Sequence, residues 1–232
     1  MMVDEKERQE TAPHPMPPQV KICGLTRADQ ARACAAAGAA AIGFVFYDKS
    51  PRNVSIEEAR TISADLPVGT GRVGVFVDAP LDFIRRRIED CGLTAVQLHG
   101  METPRQVLEL KAMGVRVIKS LFASRKPHMD EAARFAADAC LVECGKGTLP
   151  GGNATVWHYA DAREVGRRHP LILAGGLSPE NVAAAVGAAR PDAVDVSSGV
   201  EIRPGVKEIV LVKQFMQAVS NATHNNRLRR IF

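Results

Sequence analysis

Residues 170–201 read PLILAGGLSPENVAAAVGAARPDAVDVSSGVE. The run opens on an apolar strand, 170–176, that ends in two glycines. An alanine-rich helix follows near 179–189. Ser178-Pro179-Glu180 marks its start with a hydroxyl, a proline suited to a first helical turn and an acid near the positive helix end. A second apolar strand, 193–199, then ends on Ser197-Ser198-Gly199. Strand, small-residue turn, helix, strand is the repeating unit of a parallel sheet.

The same unit recurs upstream. Strands are expected at 20–24, 40–46, 72–78, 95–100, 116–122 and 139–145, and helices near 27–37, 56–65, 81–91, 103–113, 129–137, 158–168 and 207–220. Thr26 and the Ser55/Glu58 pair read as helix starts, and Gly38, Gly92 and Gly114 as helix ends. Eight strands alternating with eight helices is the arithmetic of a single (β/α)8 TIM barrel in the α/β class. A doubly wound sheet would have fewer strands and a Gly-x-Gly-x-x-Gly turn after the first, which Cys23-Gly24-Leu25-Thr26 does not supply. No linker interrupts 19–220, so that span is expected to be one catalytic domain. A charged, proline-rich tail is expected over 1–18 and a short basic tail over 221–232.

Composition narrows the class further. The 232 residues carry a net charge of +4, with 46% hydrophobic and 24% charged residues, as in ordinary soluble domains and unlike disordered chains. The longest weakly polar run, Ala33 to Phe46, is too short to span a bilayer. Residues 1–18 hold no apolar stretch of a signal peptide, so a cytoplasmic location is expected. The five cysteines, at 23, 34, 91, 140 and 144, are odd in number and lack zinc-site spacing; reduced thiols are expected. The basic excess is small and not interleaved with aromatics, which argues against nucleic acid as a partner.

Barrel active sites lie at the C-terminal ends of the strands. Gly175-Gly176 and Ser197-Ser198-Gly199 end the last two strands, where small residues let backbone N–H groups approach a phosphate. Side chains alternate along a strand, so Lys21 faces inward if Cys23 does. Lys119, Glu143 and Asp195 also fall at candidate inward positions, which would put two lysines and two carboxylates in one mouth. Such a group is either a structural ion network or a catalytic site. Cys23, at a strand end near Lys21, is placed to become a thiolate base. Glu143, at the end of the sixth strand, could be its partner acid. His99 is the one histidine at a strand end, so no metal site is expected.

Val20-Lys-Ile-Cys-Gly-Leu-Thr26, Gly43-Phe-Val-Phe-Tyr47, Lys49-Ser-Pro-Arg52, Val73-Gly-Val-Phe-Val77, Val96-Gln-Leu-His-Gly100, Gly175 to Asn181, Val194 to Glu201 and Pro204-Gly-Val-Lys207 follow one another along the chain, most of them at strand ends. Together they resemble the phosphoribosylanthranilate isomerase family of tryptophan biosynthesis. The resemblance spans about residues 19–216. It implies a cofactor-independent and metal-free Amadori rearrangement of a small phosphorylated substrate. It further implies Cys23 as general base, Arg52 as clamp on the anthranilate carboxylate, and Gln97, His99 and Asp195 around the reacting groups. Gly175, Gly176, Ser197, Ser198 and Gly199 would hold the phosphate. A monomer or homodimer is expected. The alternatives are a related barrel isomerase acting on another phosphorylated aminosugar, and a non-catalytic phosphate-ligand-binding paralogue.

One unit departs from the family pattern. Where the family usually has an aspartate, then Gly-Gly-Thr-Gly, then Phe-Asp-Trp, this chain has Glu143, Gly151-Gly-Asn-Ala154 and Trp157-His-Tyr159. Glu143 keeps the carboxyl chemistry expected of a general acid but adds a methylene of reach. Glu208 stands where the family often has aspartate, at a helix start.

Overall fold

The computed structural model describes residues 16–146, 155–222 and 228–232. Eight parallel strands form a ring in sequence order, closed by pairing of the last with the first. They are β1 (Gln19–Cys23), β2 (Ala41–Phe46), β3 (Gly71–Phe76), β4 (Ala95–Leu98), β5 (Arg116–Phe122), β6 (Ala139–Glu143), β7 (Leu171–Leu173) and β8 (Ala193–Val196). Helices α1 (Ala28–Ala36), α2 (Ile56–Ala64), α3 (Leu81–Cys91), α4 (Pro104–Ala112), α5 (Arg163–Arg168), α6 (Val182–Ala189) and α7 (Ile209–Ser220) pack outside. The strands are near-continuous aliphatic runs because both faces are covered.

The core has two layers. Inside the ring lie small and branched side chains, among them Ala41, Val73, Ala95, Ile118, Leu141 and Ile172. Between ring and helices lies a larger layer that includes Ile22, Phe44, Phe76, Leu98, Leu121 and Phe215. The Ser55/Glu58 pair forms a full capping box at α2: each side chain accepts from the other residue's backbone N–H. Thr103 and Gln106 do the same at α4.

Some expectations are corrected. Thr26 does not cap α1; its hydroxyl donates 2.8 Å to the Gly205 carbonyl and ties the β1 loop to the chain beyond β8. The helix expected at 129–137 is a 3-10 turn, Met129–Arg134, and the one at 158–168 splits into a 3-10 turn, Tyr159–Ala162, and α5. Ser178-Pro179-Glu180 form a turn ahead of α6 because the Asn181 side chain accepts from the Ser178 N–H and delays the helix. After β8 comes a small hairpin, β9 (Glu201–Arg203) and β10 (Val206–Lys207), too short to show a strand pattern.

The segment read as a short basic tail, 221–232, is not a solvated arm where it is described. Ile231 and Phe232 are buried against Ala41, Val73 and Ala95 at the N-terminal end of the barrel. Gln19 Oε1 accepts from both backbone N–H groups, at 2.7 and 3.2 Å, and Arg116 donates to the Ile231 carbonyl. Arg229 grips Asp192 with Nε and Nη2. The arginines mask two large apolar residues that fill the floor of the ring. The tail expected at 1–18 falls almost wholly outside the described residues.

Candidate active site

Two polar groups face each other across the C-terminal mouth of the ring. The first sits on β1 and β8. Cys23, the last residue of β1, is buried beside Lys21, whose ammonium donates to Asp195 Oδ1 at 2.7 Å. Gly43 on β2 is the register partner of Cys23. A Cβ there would lie 2.7 Å from Cys23 Sγ and 3.1 Å from Lys21 Cε, so only glycine leaves room for the pair. Burial works against the Lys21 charge, but Asp195 and the Cys23 sulfur outweigh it and its pKa is raised. Burial also pushes the Cys23 thiol up; the Lys21 charge pulls it down without cancelling the rise.

The second group sits on β4, β5 and β6. His99 Nε2 lies 3.2 Å from Glu143 Oε1, and its Nδ1 lies 2.9 Å from both Gln97 Nε2 and Ser120 Oγ. The Phe122 ring packs edge-on against His99 at 5.5 Å. Glu143 is therefore seated by a chain of polar side chains, three strands round the ring from Cys23.

Lys119 does not join them. It faces outward from β5 and donates to the Leu98 and Gly100 carbonyls and to Glu102 Oε2 at 2.8 Å. The neighbour Ser120 takes the inward position, because a shift of one residue along a strand exchanges the faces. The mouth thus holds one of the two expected lysines.

The loops after β7 and β8 border a groove lined by Gly175, Gly176, Ser197, Ser198 and Gly199, with Glu143 and Asp195 along it. Gly175 and Gly176 have φ of 86° and 66°, a left-handed path that side chains resist. Trp157 Nε1 donates to the Ala174 carbonyl and the Tyr159 hydroxyl to the Gly175 carbonyl, both at 3.0 Å, which props this loop from behind. The Ser197 hydroxyl donates to the Cys23 carbonyl at 3.0 Å and links the groove to β1. The altered loop 151–154 lies outside the described residues.

Arg52, expected as the clamp on the anthranilate carboxylate, is buried and bonded to an acid of this chain. Its Nε and Nη2 bond the Glu201 carboxylate at 2.9 and 2.6 Å. Lys207 Nζ reaches the same carboxylate at 2.7 Å. Sequence reading assigned no part in the site to Gly43, Ser120, Glu201 or Lys207. Strand parity could have found Ser120. Nothing in the sequence joins Arg52 to Glu201, 149 positions away.

A family model described as N-(5'phosphoribosyl)anthranilate (PRA) isomerase matches residues 20–218. A relative from Desulfatibacillum aliphaticivorans, named N-(5'-phosphoribosyl)anthranilate isomerase, is 47% identical over 92% of this chain and 98% of its own. Among solved structures, monomers of the dimeric phosphoribosylanthranilate isomerase from Thermotoga maritima superpose with a TM-score of 0.78 at 36% identity, over 88% of this chain and 99% of that one. A phosphoribosylanthranilate isomerase in complex with reduced 1-(o-carboxyphenylamino)-1-deoxyribulose 5-phosphate superposes at 0.77 with 37% identity, over the same shares of each chain.

Proposed function

The chain belongs to the N-(5'-phosphoribosyl)anthranilate isomerase family, and from that premise we propose that Cys23 and Glu143 are its base and acid. The activity is an aldose–ketose isomerisation of tryptophan biosynthesis: N-(5-phosphoribosyl)anthranilate becomes 1-(2-carboxyphenylamino)-1-deoxyribulose 5-phosphate.

The chemistry divides between the two sides of the mouth. Glu143 gives its proton to the ribose ring oxygen as the C1′–O bond breaks, and the anthranilate nitrogen lone pair forms an iminium. The Cys23 thiolate then takes the C2′ proton, and the C–H electrons neutralise the iminium to give an enolamine. That enol tautomerises to the ketone. The step needs an acid and a base on opposite sides of one small sugar. The observation that carries the assignment is that inward Cys23 and Glu143 end their strands on two separate polar groups facing one mouth. The groove of Gly175, Gly176, Ser197, Ser198 and Gly199 takes the phosphate, and Arg52 meets the anthranilate carboxylate, a planar match for guanidinium. Gln97 and His99 hold the acid, and Asp195 holds Lys21 beside the base. A monomeric or homodimeric enzyme of the cytoplasm, without nucleic acid as a partner, belongs to the same reading. The dimeric enzyme from Thermotoga maritima supports one of those two states.

Substrate generated in situ and followed by loss of anthranilate-type fluorescence tests the assignment. Cys23→Ser is expected to lower kcat by orders of magnitude while the reduced product analogue still binds. Near-normal turnover in that variant refutes the base.

A further inference from the structure

The ion pairs buried around this barrel differ in their balance. Lys21 pairs with Asp195, and Lys119 with Glu102, one cation to one carboxylate. Arg52 and Lys207, in contrast, share the single carboxylate of Glu201. All three side chains are at most 8% exposed, so water does little to balance them. Burial lowers the Lys207 pKa against the pull of Glu201. Burial would raise that of Glu201, but Arg52 and Lys207 together hold the carboxyl below its ordinary range. A group with one surplus positive charge beside an active-site mouth is built to meet an anion.

The geometry says which cation meets it. Glu201 takes Nε and Nη2 of Arg52, with Nε 2.9 Å from Oε1 and 3.2 Å from Oε2, and Nη2 2.6 Å from Oε2. Among the described residues Nη1 has no hydrogen bond, so the free edge of the guanidinium is the one turned from Glu201. Lys207 is spent on Glu201 Oε1 and on Ser197, whose carbonyl and hydroxyl lie 3.2 and 3.4 Å from Nζ. The Gly205 N–H also donates to Glu201 Oε1, at 3.2 Å, so the hairpin turn fixes the carboxylate.

We propose that Glu201 is a positioning residue that sets selectivity for a carboxylated substrate: it holds one edge of Arg52 and turns the other to the substrate carboxylate. Through Lys207 and Ser197 it also keeps that clamp in register with the phosphate groove and with the Cys23 carbonyl. The inference rests on the reading above that Arg52 meets the anthranilate carboxylate.

The test is the dissociation constant for two stable ligands. One is reduced 1-(o-carboxyphenylamino)-1-deoxyribulose 5-phosphate; the other is its phenyl counterpart without the carboxylate. Glu201→Gln is expected to weaken the carboxylated ligand about 10–100-fold, the scale of a charge-assisted bidentate contact. It should leave the phenyl counterpart within about twofold, and KM should rise while kcat changes little, the pattern of lost uniform binding. Equal weakening of both ligands, or no weakening, overturns the proposal. Glu201→Gln leaves two cations buried together, so Glu201→Gln/Lys207→Met is measured beside it. That protein is expected to melt near the parent temperature and still to lose affinity for the carboxylated ligand alone; recovered preference for that ligand overturns the proposal. Arg52→Met separates the two levels. If it leaves the preference between ligands intact, the clamp reading itself fails. If it abolishes the preference while Glu201→Gln does not, only the role of Glu201 falls.

Discussion

Glu143→Asp asks whether the site is built around the longer acid. The Glu143 carboxyl ends 3.2 Å from His99 Nε2, and His99 is itself held at Nδ1 by Gln97 and Ser120 at 2.9 Å. Aspartate withdraws the carboxyl by one carbon–carbon bond, about 1.5 Å. The contact with His99 then opens to roughly 4–5 Å, beyond a hydrogen bond. The backbone cannot follow, because β6 is laddered to β5 with Phe122 opposite Glu143 and to β7 through Val142 and Leu173. A misplacement of about 1 Å costs on the order of 100-fold, or about 2.7 kcal/mol of barrel-derived positioning at 1.36 kcal/mol per tenfold. The expected result is a kcat about 100-fold lower in the fluorescence assay, with KM nearly unchanged because the phosphate and carboxylate contacts remain. Circular dichroism and a melting curve establish that the variant is folded. A folded Glu143→Asp enzyme with kcat within about threefold of the parent refutes the argument, since the mouth would then tolerate either reach.

Three further outcomes are expected. Burial raises the Cys23 pKa, so its thiolate appears only at higher pH; alkylation of Cys23 by iodoacetamide in the free enzyme, read from the Cys23 peptide, should therefore speed up with pH along a limb above the ordinary thiol value of about 8.5. Lys21→Met removes the charge that lowers that pKa and should move the limb further up; a limb unmoved or moved down would show that Lys21 does not govern Cys23. Deleting residues 228–232 exposes the barrel floor now covered by Ile231 and Phe232. At about 1.5–3 kcal/mol for each of these two apolar side chains, the loss is roughly 3–6 kcal/mol, or on the order of 10 °C in Tm. The kcat should hold, because the floor is at the opposite end from the mouth; an unchanged Tm would refute the plug.

Periodicity was enough to read the barrel. Aliphatic runs, helix starts such as Ser55/Glu58 and glycines after the helices are local signals, set by backbone sterics and by hydrogen-bonding groups a few residues apart. They located all eight strands. The strand ends of a barrel must converge, so Cys23, Glu143, Asp195 and the Gly175 and Ser197 loops could be named as neighbours before any coordinates. Parity failed once, at Lys119, because one residue of register decides between mouth and helix layer and β5 is buried on both faces, with a polar residue on each. The hairpin at Glu201–Lys207 was missed because its strands are only three and two residues long.

What the sequence determined alone, then, was each local choice: strand or helix, where each begins, and which residues stand at strand ends. Tertiary structure decided which charges meet. Lys21 finds Asp195 across 174 positions, Arg52 finds Glu201 across 149, and Phe232 reaches the ring floor beside Gln19 across 213. Partners so far apart leave no mark in local pattern, because only closure of the ring brings them within the few ångströms over which hydrogen bonds and packing act.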